Sequence, residues 1–120
     1  MRDSARILVV EDEILLAEAL SDLLREEGFE LAGPVGTLQD ALDQVQGSSI
    51  DAALLDIRLF HEQGYPVAYE LQAKRIPFVF LTSHARCDLP PDLQSHLLIE
   101  KPFDVPTLLQ CVRAMVAAPV

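Results

Sequence analysis

Short apolar runs alternate with longer stretches of helical periodicity along the whole chain. The runs are rich in valine, isoleucine and leucine, and the first of them ends abruptly at Glu11-Asp12-Glu13. Such runs are typical of strands that are buried on both faces of a sheet. The pattern predicts five strands, at residues 5–10, 29–35, 50–56, 76–81 and 97–100.

The stretches between these strands carry apolar residues at helical spacing. Thr37 is placed to cap the second helix and Asp104 to cap the last, at 105–117, while Pro66 suits the first turn of the third. Residues 83–95 include two adjacent prolines, so any helix there should be short or irregular. The first helix should end near Gly28, and its apolar residues are Ile14, Leu15, Ala17, Leu20, Leu23 and Leu24.

This alternation predicts an α/β domain, in which helices cover both faces of a parallel sheet. A chain of 120 residues, 50% of them hydrophobic, suffices for one core of ordinary size. We therefore expect one domain over residues 1–120. Ligands of such sheets bind at the carboxyl ends of the strands, so that edge is where function should be sought.

The charge balance is strongly acidic, with 19 Asp and Glu against 9 Lys and Arg. Such a surface repels a nucleic-acid backbone, so we expect no nucleic-acid partner; the acidity can also serve solubility alone.

No apolar run approaches the length of about 20 residues that spans a bilayer, and the N-terminus does not resemble a signal peptide. We expect a cytoplasmic protein without membrane contact, whose two cysteines are reduced.

Polar residues stand at the ends of four of the predicted strands. They are Glu11 and Asp12 after the first, Asp56 at the third, Thr82 after the fourth and Lys101 after the fifth. Parallel strands end on a common edge, so these side chains should converge. Clustered carboxylates repel one another, and a hard cation bound through oxygen relieves that repulsion. Mg²⁺ fits such a site best, because it binds a few carboxylates together with phosphate oxygens.

The expected chemistry is transfer of a phosphoryl group to Asp56, since a carboxylate can form an aspartyl phosphate. Lys101 would meet phosphate charge with its ammonium, and Thr82 would donate a hydroxyl to another oxygen. The backbone carbonyl of Arg58 is a further plausible metal ligand beside Glu11, Asp12 and Asp56. Taken singly, these residues have simpler interpretations. The acids after the first strand can be the start of a helix, Asp56 a turn residue, Thr82 a helix cap and Lys101 a surface charge.

The motifs resemble the receiver domain of bacterial response regulators over essentially the whole chain. The resemblance lies in ILVVEDE, in LLDIRL around Asp56 with Gly64 downstream, in the Thr82-Ser83 pair and in Lys101-Pro102-Phe103. It implies a flavodoxin-like, doubly wound fold with strand order 2-1-3-4-5. It also implies phosphotransfer to Asp56 from a histidine kinase or phosphotransfer protein, and slow self-catalysed dephosphorylation rather than an enzymatic activity on other substrates.

A narrower resemblance is carried by EQGYPVAYEL and IPFVFLTS, which are similar to alphaproteobacterial single-domain receivers of general stress signalling. The glycine that usually follows the threonine in that group is Ser83 here.

Downstream partners of the family commonly bind the face from strand four to helix five. The chain ends at Val120, soon after the last predicted helix, so we expect no output domain, unless the chain is a receiver excised from a longer protein.

Two positions depart from the family pattern. Leu98 stands where most receivers carry the aromatic residue that turns inward on activation, so the switch should work by another route. Phe60 replaces a common proline, which would place Phe60 and His61 on a loop near the site. Arg58 and His84 flank the site in sequence and are candidates for controlling how water reaches an aspartyl phosphate.

Three other functions compete with this interpretation. A dinucleotide-binding enzyme would need a glycine-rich turn after the first strand, where Glu11-Asp12-Glu13 stands. An aspartate-nucleophile phosphatase would need a second acid two residues after Asp56, where Arg58 stands. The remaining alternative is a receiver-like protein-interaction module that is not phosphorylated, which Leu98 favours and the intact set of polar residues disfavours.

Overall fold

The computed structural model describes residues 5–59, 62–63, 65–82, 90–93 and 98–117. Within these ranges the chain alternates between strands and helices from one end to the other. The elements are β1 (Arg6–Val10), α1 (Ile14–Glu26), β2 (Glu30–Val35), α2 (Leu38–Gly47), β3 (Ala52–Asp56), β4 (Arg58–Leu59), β5 (Glu62–Gln63), α3 (Tyr65–Ala73), β6 (Phe78–Thr82), β7 (Leu98–Glu100) and α4 (Val105–Ala117).

Five of the strands form one parallel sheet in the order β2-β1-β3-β6-β7. Numbered among themselves these strands have the order 2-1-3-4-5, so the predicted flavodoxin-like topology is confirmed. The three interior strands, β1, β3 and β6, are apolar almost throughout because both of their faces are covered.

Each face of the sheet packs against its own pair of helices. Alternate residues of a strand point to opposite faces, so every central strand contributes side chains to two separate clusters. One cluster joins Leu8, Leu55 and Phe80 to α2 and α3. The other joins Val9, Leu54 and Leu81 to α1 and α4. The predicted arrangement of helices on both faces is therefore confirmed.

The predicted helix ends are set by local hydrogen bonds and backbone geometry. Thr37 caps α2, because its hydroxyl oxygen accepts the Asp40 amide at 3.1 Å. Asp104 caps α4, and its Oδ2 accepts the Thr107 amide at 3.0 Å. Gly28, just past the end of α1, has a φ of +91°, a conformation that L side chains rarely adopt.

The structure adds one pair of strands, shifts several strand ends by one or two residues, and leaves two of the apolar residues of the first helix exposed. Residues after Asp56 were predicted as a loop through Gly64, but β4 and β5 pair there as a short antiparallel hairpin. Ile14 and Leu15 were counted among the apolar positions of the first helix, yet they are 73% and 77% exposed. They occupy the first turn of α1, next to the carboxyl edge of the sheet, and the buried face of the helix starts at Ala17.

Between β6 and β7 the described residues contain a single 3-10 turn, Pro91–Leu93, as expected for an irregular stretch with two prolines. Some predictions concern residues outside the described ranges. These residues are Phe60, His61, His84 and Cys87. Within the described ranges, every helix is too short or too polar to cross a membrane.

Candidate functional site

The polar residues singled out in the sequence lie along the carboxyl edge of the five-stranded sheet. Asp56 and Thr82 are the last residues of the neighbouring strands β3 and β6, while Glu11 and Lys101 directly follow β1 and β7. Hydrogen bonding between strands continues past the strand ends and fixes this edge. The Glu11 amide donates to the Val35 carbonyl at 2.9 Å, and the Lys101 amide donates to the Thr82 carbonyl at 2.7 Å.

Three carboxylates form the acidic part of the site. One oxygen each of Glu11, Asp12 and Asp56 lies within 4.8 Å of the others. Glu11 and Asp56 are buried, and Asp12 is half-buried. A donor set made only of carboxylate oxygens suits a hard divalent cation such as Mg²⁺ or Ca²⁺ and does not suit a soft metal. The residues present therefore fit the predicted Mg²⁺.

Lys101 bridges two of these carboxylates. Its Nζ lies 2.7 Å from Glu11 Oε1 and 3.2 Å from Asp56 Oδ2, and its side chain is largely buried. Burial by itself lowers the pKa of Lys101, but the hydrogen bond to Glu11 and the charge of Asp56 outweigh it and raise the pKa above the ordinary value. The ammonium therefore stays charged beside Asp56 at neutral pH.

Glu11 is the most perturbed acid of the site. Burial, followed by its hydrogen bond with Asp56, raises the pKa of Glu11 to about 7, although the hydrogen bond from Lys101 opposes the shift. The Glu13 amide also donates to Glu11 Oε2 at 3.1 Å and favours the charged form. Since metal ligands must be deprotonated, a bound cation would hold Glu11 as a carboxylate.

Thr82 and Arg58 complete the predicted set. The Thr82 side chain is buried at the end of β6, on the strand beside Asp56. Arg58 lies two residues after Asp56 in β4, where its backbone pairs with Gln63, and its carbonyl as a metal ligand stays a prediction. The contact between Lys101 and Glu11 was missed by the sequence analysis, because a common sheet edge does not specify which pairs touch.

A family comparison matches residues 7–113 to the response regulator receiver domain. Among curated relatives, the transcriptional regulatory protein PdtaR of Mycobacterium tuberculosis is 32% identical over 116 residues, which is 93% of this chain and 57% of that protein. The sensory transduction protein LytT of Bacillus cereus is 31% identical, covering 90% of this chain and 46% of that protein. The chain thus spans about half the length of these relatives.

Solved structures of similar proteins also cover almost the whole chain. The solution structure of SdrG from Sphingomonas melonis is 35% identical and has a TM-score of 0.82, with 98% of this chain and 100% of that chain covered. A receiver protein from Sinorhizobium medicae is 25% identical with a TM-score of 0.83, covering 97% of both chains. These similarities support the narrower resemblance to alphaproteobacterial single-domain receivers.

Proposed function

Because this chain belongs to the response regulator receiver family, we propose that it accepts a phosphoryl group on Asp56 from a histidine kinase or phosphotransfer protein. The observation that carries the proposal is the position of Lys101, whose ammonium contacts Asp56 and Glu11 within a buried acidic cluster. This arrangement combines a nucleophilic carboxylate with the fixed positive charge that an incoming phosphoryl group requires.

The metal in this proposal is Mg²⁺, held by Glu11, Asp12, Asp56 and the backbone carbonyl of Arg58. When bound, Mg²⁺ neutralises negative charge on the cluster and on phosphoryl oxygens. The chain's own residues determine where the metal sits, since the oxygens of the three carboxylates already lie within 4.8 Å of one another.

The transfer is a displacement at phosphorus. An oxygen of Asp56 forms the new bond to phosphorus, and the bond from phosphorus to the imidazole nitrogen of the donor histidine breaks, leaving a neutral imidazole after protonation by solvent. Lys101 stabilises charge on the phosphoryl oxygens as a point charge, and Thr82 donates its hydroxyl to one of them. Hydrolysis by water reverses the modification, so the protein catalyses only its own phosphorylation and dephosphorylation.

A surface beside the site suits the protein that delivers the phosphoryl group. Asp56 is only 6% exposed, so a donor must approach closely over the rim of the sheet. Ile14 and Leu15 form an exposed apolar pair three and four residues after Glu11. Exposed apolar side chains that adjoin a reactive group favour protein contact, so we assign this pair to donor docking.

Signalling output then proceeds through protein contacts in the cytoplasm, without nucleic-acid or membrane binding. The downstream partner of this proposal binds the face between β6 and α4, the fourth strand and last helix of the fold. Residues 1–120 act as one receiver domain in this scheme.

Incubation with acetyl phosphate or beryllofluoride and Mg²⁺ tests the phosphoacceptor function. Phosphate-affinity gels after acetyl phosphate treatment, and fluorine NMR after addition of beryllofluoride, should show an adduct in the wild type and none in Asp56→Asn. Asp22→Asn is the matched control, because it removes the same charge from an exposed position on α1 and should leave the adduct unchanged. A wild type without an adduct would instead favour a binding module that is not phosphorylated.

A further inference from the structure

The chain that leaves β2 packs closely against the backbone of Glu11 and Asp12. A Cβ atom on Gly36, the residue after β2, would lie 3.3 Å from the Asp12 Cα and 3.5 Å from the Glu11 carbonyl oxygen. Carbon atoms in favourable contact are normally about 3.5–4.0 Å apart. The two stretches of backbone therefore approach so closely that a side chain at Gly36 would press on Asp12.

This contact, and not the local backbone conformation, is what calls for glycine at this position. The φ of Gly36 lies outside the left-handed range, so an alanine can adopt the same backbone there. A methyl group at Gly36 would thus act through its contact with the Glu11-Asp12 backbone.

An extra residue in β2 brings this glycine to its place. Leu8 of β1 is opposite Ala32 of the edge strand β2, and Val10 is opposite Val35. Two steps along β1 thus correspond to three along β2, which is a β-bulge. Gly33 lies in the bulge with a φ of +87°, and a Cβ atom there would lie 2.8 Å from the Val35 nitrogen. Bulges of this kind commonly redirect the chain beside a functional site.

Both neighbours of Gly36 take part in hydrogen bonds that hold this end of β2. The Val35 carbonyl accepts the Glu11 amide at 2.9 Å, and the Thr37 hydroxyl oxygen caps α2. A shift of Gly36 would disturb one of these bonds. A methyl group at Gly36 should therefore displace Asp12 by a few tenths of an ångström, and the Asp12 carboxylate would move with its backbone.

We propose that Gly36 is a positioning residue of the metal site, which lets the chain after β2 seat the backbone of Asp12 so that its carboxylate lies beside those of Glu11 and Asp56. This proposal rests on the Mg²⁺ site of the proposed function. Mg²⁺ requires near-ideal octahedral geometry, whereas Ca²⁺ accepts flexible arrangements of oxygen ligands. A displaced Asp12 should therefore reduce the affinity for Mg²⁺ more than the affinity for Ca²⁺.

The test titrates the full chain with Mg²⁺ and, separately, with Ca²⁺, and follows the backbone amide resonances by NMR. Gly36→Ala should bind Mg²⁺ about tenfold more weakly than the wild type, as changes around metal ligands commonly do. Its affinity for Ca²⁺ should fall by a smaller factor. In EDTA, the amide resonance of Asp12 in Gly36→Ala should already differ from that of the wild type, because the displacement does not need the metal.

Gly47→Ala is the matched control for the added methyl group. It places the same group at the end of α2, where no atom of another described segment lies within 4 Å of the new carbon. This variant should keep the wild-type affinity for both ions and the wild-type resonance of Asp12. Urea unfolding in EDTA should give Gly36→Ala a midpoint close to that of the wild type, because a small movement relieves the contact.

The outcomes distinguish this proposal from the one it rests on. A wild type that binds neither ion at Glu11 and Asp12 overturns the proposed metal site and the role of Gly36 with it. A wild type that binds Mg²⁺ no more tightly than folded Gly36→Ala overturns the role of Gly36 alone, as does an equal loss for both ions. A Gly36→Ala chain that does not fold would also contradict the proposal, since Gly36 would then be a requirement of the fold.

Discussion

Replacing the phosphoacceptor should make the metal-free protein more stable. Asp56→Asn removes one negative charge from a cluster in which Asp56 faces Glu11 and Asp12 at distances within 4.8 Å. It also removes the favourable pair between Asp56 and Lys101 at 3.2 Å. Asparagine keeps the shape and hydrogen-bonding capacity of the side chain, so the substitution mainly changes charge.

The sign of this stability change follows from the distances between the charged groups. At an effective dielectric constant near 20, each repulsive pair costs at least roughly 3.5 kcal/mol at the upper limit of 4.8 Å, and the attraction to Lys101 at 3.2 Å contributes roughly 5 kcal/mol. The two repulsions together therefore exceed the attraction by at least about 2 kcal/mol. Because half-buried Asp12 is partly screened by water, we expect Asp56→Asn to raise the free energy of unfolding by about 1–2 kcal/mol.

Urea unfolding with EDTA, at about pH 8, is the assay. This pH lies above the pKa of about 7 of Glu11, so most molecules carry a charged Glu11 and the repulsion is present. Saturating Mg²⁺ should stabilise the wild type more than Asp56→Asn, because a bound ion favours the state with the complete ligand set. Asp22→Asn, on the exposed face of α1, controls for the general relief of net charge.

A destabilised Asp56→Asn variant in EDTA would refute this reasoning, since it would mean that the bond to Lys101 outweighs repulsion within the cluster. An equal increase in the free energy of unfolding of Asp22→Asn would also refute it, because the effect would then come from the change in net charge. Equal stabilisation of both proteins by Mg²⁺ would place the metal away from Asp56.

Three further predictions concern single side chains. Lys101→Met should weaken beryllofluoride binding about a hundredfold, because it removes a preorganised charge from the phosphoryl oxygens; unchanged binding by fluorine NMR would contradict its role. Leu15→Ser should slow phosphotransfer from a cognate kinase but not from acetyl phosphate, and equal slowing in both assays would exclude a docking role. Asp104→Ala should lower the urea midpoint at neutral pH, since it removes the cap of α4. Hydrogen bonds from Thr107 lower the pKa of Asp104, so this difference should vanish as pH falls through that depressed pKa, and a constant difference would disprove the charged cap.

The parts of the fold that local chemistry determines were predictable from the sequence. Thr37 and Asp104 cap their helices through hydrogen bonds within three residues, and Gly28 adopts a conformation that glycine favours. The parallel sheet was also predictable, because strands covered on both faces must be apolar at consecutive positions, as Leu8 and Val9 are.

Other features depend on the assembled structure. The hairpin after Asp56 consists of two strands of two residues each, which are too short to show any periodicity. Periodicity also counted Ile14 and Leu15 as helix-face residues without revealing that the first turn of α1 leaves them exposed. The bond between Lys101 and Glu11 joins residues 90 positions apart, and sheet topology predicts a shared edge but no particular pair.

The contact between Lys101 and Glu11 has a consequence for the order of events at the site. The ammonium and an arriving divalent ion compete for the same carboxylate, since Glu11 Oε1 already accepts Lys101 Nζ at 2.7 Å. If Glu11 helped to hold a divalent ion, Lys101 would lose this hydrogen bond and its ammonium would be available to an incoming anion. In this order of events Lys101 would act as an internal counterion of Glu11 until a metal binds, and under the proposed function the metal-bound protein would be the form ready for its donor.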